Sequence, residues 1–75
     1  MTAEELEAVR RRWNLNAAEL AKALCVHSNR MSEYLGGVTP IPCALAFSVE
    51  ALELLPEATR ARLLERRLAR KAHER

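Results

Sequence analysis

Residues Asn16–Gly37 read NAAELAKALCVHSNRMSEYLGG, and the fold turns on this stretch. Asn16 followed three places later by Glu19 is a helix-start signature: the amide side chain and the carboxylate each satisfy a backbone N–H that the first turn leaves without a partner. Leu20, Ala21 and Leu24 then recur at helical spacing and form the buried stripe of a short helix. Cys25-Val26-His27 leaves room only for a tight turn, after which His27 or Ser28 caps a second helix. That helix carries Met31, Tyr34 and Leu35 inward and ends at Gly36-Gly37, since glycine commonly stands just past a helix. A turn about three residues long makes the two helices cross steeply, and small Ala21 suits their point of contact.

The rest of the chain repeats the same grammar. Thr2 with Glu5 is a capping box, and Leu6, Val9 and Trp13 give a first helix over Ala3–Arg12, stopped by Asn14. Pro42 fits the first turn of a fourth helix, where its missing N–H costs nothing, with Leu45, Val49 and Leu52 as its core face. Phe47 falls one position off that stripe, which places it at the edge or at an interface. Pro56 opens a fifth helix in the same way, with Ala61, Leu64, Leu68 and Ala72 as a thin apolar stripe on an otherwise charged rod. The expectation is an all-α bundle of five helices with short connections, divided into residues 1–55 and a C-terminal basic amphipathic helix over 56–75.

Composition narrows the function classes. The chain has 75 residues, 49% of them hydrophobic: one domain, too apolar for disorder. A core of this size buries only about 60% of the unfolded surface, and association with a second copy is the usual remedy when no disulfide or metal staples the fold. The net charge of +2 is small, but the charge is unevenly placed. Arg10-Arg11-Arg12 form one basic knot; Arg60, Arg62, Arg66, Arg67, Arg70, Lys71 and Arg75 form another against Glu57, Glu65 and Glu74; only Lys22 and Arg30 lie between. No run of about 18 apolar residues is present to span a membrane, and the acidic N-terminus lacks a signal-peptide pattern, which points to the cytoplasm. Cys25 and Cys43 sit among apolar residues and read as reduced and buried. Cys25 and His27 lack a second ligand pair at finger spacing, so no metal, cofactor or catalytic residue is expected, and no small-molecule substrate.

The pattern Leu20-Ala21-(x2)-Leu24-(x)-Val26-(x4)-Met31-(x2)-Tyr34-(x2)-Gly37 resembles the helix-turn-helix of the Cro/CI-type (XRE) regulators. Pro40-Ile41-Pro42-(x4)-Phe47-(x2)-Glu50-(x)-Leu52 is similar to small phage-type members, including the anti-CRISPR-associated autorepressors. The resemblance covers about residues 4–55. It implies a compact lambda-repressor-like helix-turn-helix bundle, bacterial or phage-encoded, acting as a sequence-specific transcriptional regulator, an autorepressor binding a palindromic operator in double-stranded DNA as a homodimer. The chain departs from the family at Cys25, where glycine is usual; a non-glycine residue adopts the left-handed conformation there at a cost of about 1 kcal/mol. It departs again at Ala17, where the family often has a phosphate-contacting Gln, so Asn16 or Lys22 has to replace that contact.

With Met31 inward, an advance of about 100° per residue turns Asn29, Ser32 and Glu33 outward and puts Arg30 on one flank. Recognition helices read base edges mainly through their N-terminal half. Ser28, Asn29, Ser32 and Glu33 are therefore the candidate base readers, Asn for adenine and Glu for a cytosine amino group; Arg30 reaches guanine or phosphate, and His27 stands at the helix start. Arg10, Arg11, Arg12 and Lys22 are the expected backbone-positioning contacts. Leu64 and Leu68 are the expected dimer contacts, because their stripe has no obvious partner in so short a chain. The competing reading is a protein-interaction module, antitoxin- or adaptor-like, that does not bind DNA.

Overall fold

The computed structural model describes residues 1–69. In it three successive helices end in one device. Helix α1 (Ala3–Arg12), α2 (Ala17–Ala23) and α3 (Ser28–Leu35) are each followed by a cap residue and then by a left-handed one: Asn14 (φ 59°), Cys25 (φ 60°) and Gly37 (φ 75°). The residue after each reaches back with its N–H, Leu15 to the Arg10 carbonyl (3.1 Å), Val26 to Ala21 (2.9 Å) and Val38 to Glu33 (2.9 Å). The left-handed residue bonds one carbonyl further on, at 3.0, 3.3 and 3.2 Å. This paired pattern satisfies the orphan carbonyls of a helix end and turns the chain sharply. Only the third site uses glycine. Asn tolerates the left-handed region through its short polar side chain, whereas Cys25 carries the steric cost outright.

Helix starts follow the capping chemistry expected of them. Thr2 Oγ1 accepts from the Glu5 N–H and Asn16 Oδ1 from the Glu19 N–H, and each Glu side chain accepts from its cap residue's N–H in return. Helix α4 (Cys43–Glu53) and α5 (Glu57–Ala69) begin one residue later than the sequence implies. Pro42 is the N-cap rather than a helical residue: its ψ of 147° is extended, and its carbonyl accepts the Ala46 N–H at 3.0 Å. The Pro56 carbonyl does the same for Arg60, at 2.9 Å.

Five helices and no strand are present among the described residues. Leu6, Leu20, Met31 and Val49 are sealed at the centre, with Val9, Trp13, Ala21, Tyr34, Leu45 and Leu64 around them. Helix α2 packs on α3 and α5, and α1 on α3. Trp13 joins three elements: its indole N–H donates to Glu53 of α4 at 2.7 Å, and the Arg60 guanidinium of α5 lies 5.9 Å from its ring centroid. No described helix is long and apolar enough to cross a membrane.

Two expectations fail here. Cys25 and Cys43 are exposed, not buried: Cys25 projects from a turn, and Cys43 starts α4 on the side away from the core. The α5 stripe is also not partnerless. Leu64 is buried and Leu68 half-buried in the chain's own core, because α5 lies against α2; Leu64 is therefore not available as a dimer contact. Ala61 is exposed, and Ala72 falls outside the described residues.

Candidate nucleic-acid interface

The turn between α2 and α3 is held from both sides. Within it, the two bonds around Cys25 close the C-terminus of α2. Across it, α5 clasps the same end: Arg67 Nε donates to the Ala23 carbonyl at 2.8 Å, and a second Arg67 nitrogen meets Cys25 Sγ. Lys22 Nζ donates in return to the Leu68 carbonyl at 2.9 Å. Arg67 thus lies at the carbonyl end of α2, where the macrodipole favours a cation. His27 begins α3 as its N-cap, Nδ1 accepting from the Asn29 N–H at 3.3 Å.

From that anchored start α3 buries Met31 and Tyr34 and leaves His27, Ser28, Asn29, Arg30 and Ser32 exposed. The side chains of Ser28, Asn29 and Ser32 make no hydrogen bond among the described residues, so their donors and acceptors are unspent. Unlike α1, α2 and α5, helix α3 has no acidic residue in its first turn; its N-terminal positive end is not neutralised locally. Glu33 differs from its neighbours. It is half-buried, accepts from the Thr39 hydroxyl at 3.2 Å and lies 3.8 Å from Arg30 Nε. It braces the loop after α3 and shares Arg30, leaving it less free to accept from a base.

The other expected contacts are dispersed by partners of their own. Arg10 pairs with Glu7 and donates to the Leu15 carbonyl at 2.8 Å; Arg11 pairs with the same Glu7 at 3.0 Å; Arg12 pairs with Glu53. The Arg10 bond, aided by Arg11 and opposed by desolvation, draws Glu7 down to about 2 and raises Arg10. Desolvation is the largest influence on Glu53, but Arg12, Trp13 and Arg60 together overcome it and hold this carboxyl below its ordinary value. The arginine knot on α1 therefore stitches α1 to itself and to α4. Asn16 spends its carbonyl oxygen on the α2 cap, with Glu19 beside it, and Lys22 donates to the Leu68 carbonyl of α5. Arg67 reads in the sequence only as one of the C-terminal basic knot, because its partners Ala23 and Cys25 lie more than 40 residues away.

An open surface depression lies elsewhere, between α1 and the end of α3, lined by Glu4, Glu7, Arg11, Arg12 and Gly36 among others. Among the described residues, no three His, Cys, Asp or Glu side chains come together in a way that could hold a metal ion. No protein-family model, curated protein or solved structure matches the chain.

Proposed function

We propose that this protein is a sequence-specific DNA-binding regulator that reads the major groove with α3. The observation that carries the reading is the outer face of α3: Ser28, Asn29 and Ser32 exposed, adjacent and unspent, on a helix pinned at its start and free of acid in its first turn. An amide and two hydroxyls in the N-terminal half of a helix are the groups that bond base edges. Arg30 is the one basic side chain on α3, and it supplies a guanine or phosphate contact once it leaves Glu33. A four-residue connection, Leu24–His27, joins the short helix pair, and α3 packs on both α2 and α1.

Selection of binding sites from a random duplex pool, followed by anisotropy titrations of the enriched and scrambled duplexes, tests this. Enrichment of a defined site, with Arg30→Ala losing more affinity than Arg11→Ala or Lys22→Ala, is the expected result. A pool that never enriches defeats the reading; the competing one, an interaction module, is favoured by the exposed Phe47 of α4 and Leu54 just past its end.

A further inference from the structure

Helix α3 carries two charged side chains, Arg30 and Glu33, one turn apart. Arg30 Nε stands 3.8 Å from Glu33 Oε1, with 58% and 45% of the two side chains exposed. An exposed pair of this kind adds little to folding, so its consequence is to be sought in binding. The two partners are held differently. Arg30 has this pairing and no hydrogen bond among the described residues. Glu33 is fastened: its Oε1 accepts from the Thr39 hydroxyl at 3.2 Å, and its main-chain carbonyl accepts from the Val38 and Thr39 N–H groups at 2.9 and 3.4 Å. Glu33 also follows Asn29 by four residues and so shares that side chain's stripe on the helix. When a duplex approaches, the arginine can leave and the carboxylate stays.

We propose that Glu33 sets the selectivity of α3, by making the entry of Arg30 conditional on a guanine in the site. The proposal rests on α3 being the helix that reads DNA. A carboxylate fixed on that helix is repelled by every phosphate, and non-specific binding draws essentially all of its strength from phosphates. If Arg30 moves to a phosphate, Glu33 is left uncompensated beside the same backbone, and the exchange gains little. Guanine offers more. Its O6 and N7 accept two guanidinium N–H groups at once, and the planar fork of an arginine bonds such a pair with little further loss of freedom. The guanine contact therefore outweighs the abandoned ion pair, whereas a lone phosphate contact does not. Selectivity of this kind comes from a repulsive group as much as from an attractive one. Glu33 exerts it without bonding a base, in keeping with its tie to Thr39.

Anisotropy titrations of the full chain with its selected duplex and a scrambled one, across a salt series, are the test. Glu33→Gln keeps an oxygen for Thr39 and removes the charge. It is expected to tighten the scrambled duplex about fivefold or more and the selected one by no more than about twofold, a gain that shrinks as salt screens the repulsion. Guanines of the selected site are also replaced one at a time by 7-deazaguanine, which lacks the N7 acceptor. At one position this should weaken wild type about tenfold and leave Arg30→Ala unmoved. If Glu33→Gln loses helical circular dichroism, Thr39→Val decides in its place: the freed carboxylate swings off the phosphates, and discrimination falls about threefold. Equal tightening of both duplexes, or of neither, overturns the role of Glu33 while α3 remains the reading helix. A selected duplex weakened about tenfold by Glu33→Gln, with the scrambled one unchanged, makes Glu33 a base reader and overturns the proposal too. Absence of any guanine to which wild type alone is sensitive overturns the guanine contact. A pool that never enriches removes α3 as the reading helix, and the proposal with it.

Discussion

Helix α3 buries Met31 and Tyr34 and shows Ser28, Asn29, Arg30 and Ser32; α4 buries Leu45 and Val49 and shows Ala44, Phe47 and Ala51. The inner faces obey the same rule, since apolar side chains at three- and four-residue spacing must leave water for either helix to persist in so small a fold. The outer faces obey no folding rule at all, and they diverge: hydrogen-bonding groups on α3, and on α4 the exposed ring of Phe47 among alanines, Ser48 and Glu50. Where folding leaves a surface unconstrained, its chemistry reports what it meets. Neither helix has an acid in its first turn, so the difference lies in the side chains: hydroxyls, an amide and Arg30 on α3, and exposed Phe47 with Glu50 beside it on α4.

The comparison breaks hardest on the inside. Met31 is fully buried, so Met31→Ala is expected to cost about 2–5 kcal/mol, from lost transfer energy and the cavity left behind. Urea unfolding followed by circular dichroism measures it; a change under 1 kcal/mol means that α3 is not docked as described. On the outside the same helix is expected to be indifferent to folding. Asn29→Ala and Ser32→Ala should each weaken binding to a selected duplex by about 1–3 kcal/mol and shift stability by less than about 0.5 kcal/mol. Equal affinity of both variants for selected and scrambled duplexes, at wild-type strength, removes α3 from the interface.

Among the described residues, Glu53 ties α4 to the end of α1, and pH reaches it. Glu53 accepts from Trp13 and Arg12, and Glu53→Gln is expected to cost about 1–2 kcal/mol through the weakened bonds. Glu53 and Glu7 both sit below their ordinary values, Glu7 at about 2. Carboxyls lowered by folding stabilise the native state above their unfolded pKa of roughly 4.3, and that contribution drains as pH falls toward the folded value. The urea midpoint should hold from pH 7 to about 5 and drop between about 4.5 and 2, less steeply in Glu53→Gln. A midpoint flat down to pH 2 contradicts these pairings. The smallest effect concerns the turn that presents α3: Cys25→Gly relieves the left-handed penalty and should raise stability by up to about 1 kcal/mol, offset in part by the lost sulfur contact with Arg67. A clear loss in thermal melting shows that this contact outweighs the strain.

Much of this was legible in local patterns. The Thr2 and Asn16 caps, the Asn14 stop, the Gly36-Gly37 end and the inward set Leu6, Val9, Leu20, Met31, Tyr34 and Val49 all follow from interactions within about four residues, which spacing alone encodes. So does the outward angle of Ser28, Asn29 and Ser32, because helix phase is set by the inward residues beside them.

What the tertiary structure decided lies between elements. Spacing cannot say that Lys22 and Arg67 clasp α5 to the end of α2, that Arg12 and Trp13 share Glu53, or that Thr39 takes up Glu33. Charge on a helix face reads alike whether it meets phosphate, water or a carboxylate 40 residues away. It also cannot say which apolar stripe is spare. Leu64 and Leu68 looked unpartnered and are covered by α2, whereas Phe47 and Leu54 stand in the open. Periodicity measures how apolar a stripe is; only the packing of five helices around one small core determines which stripes that core has room to hold.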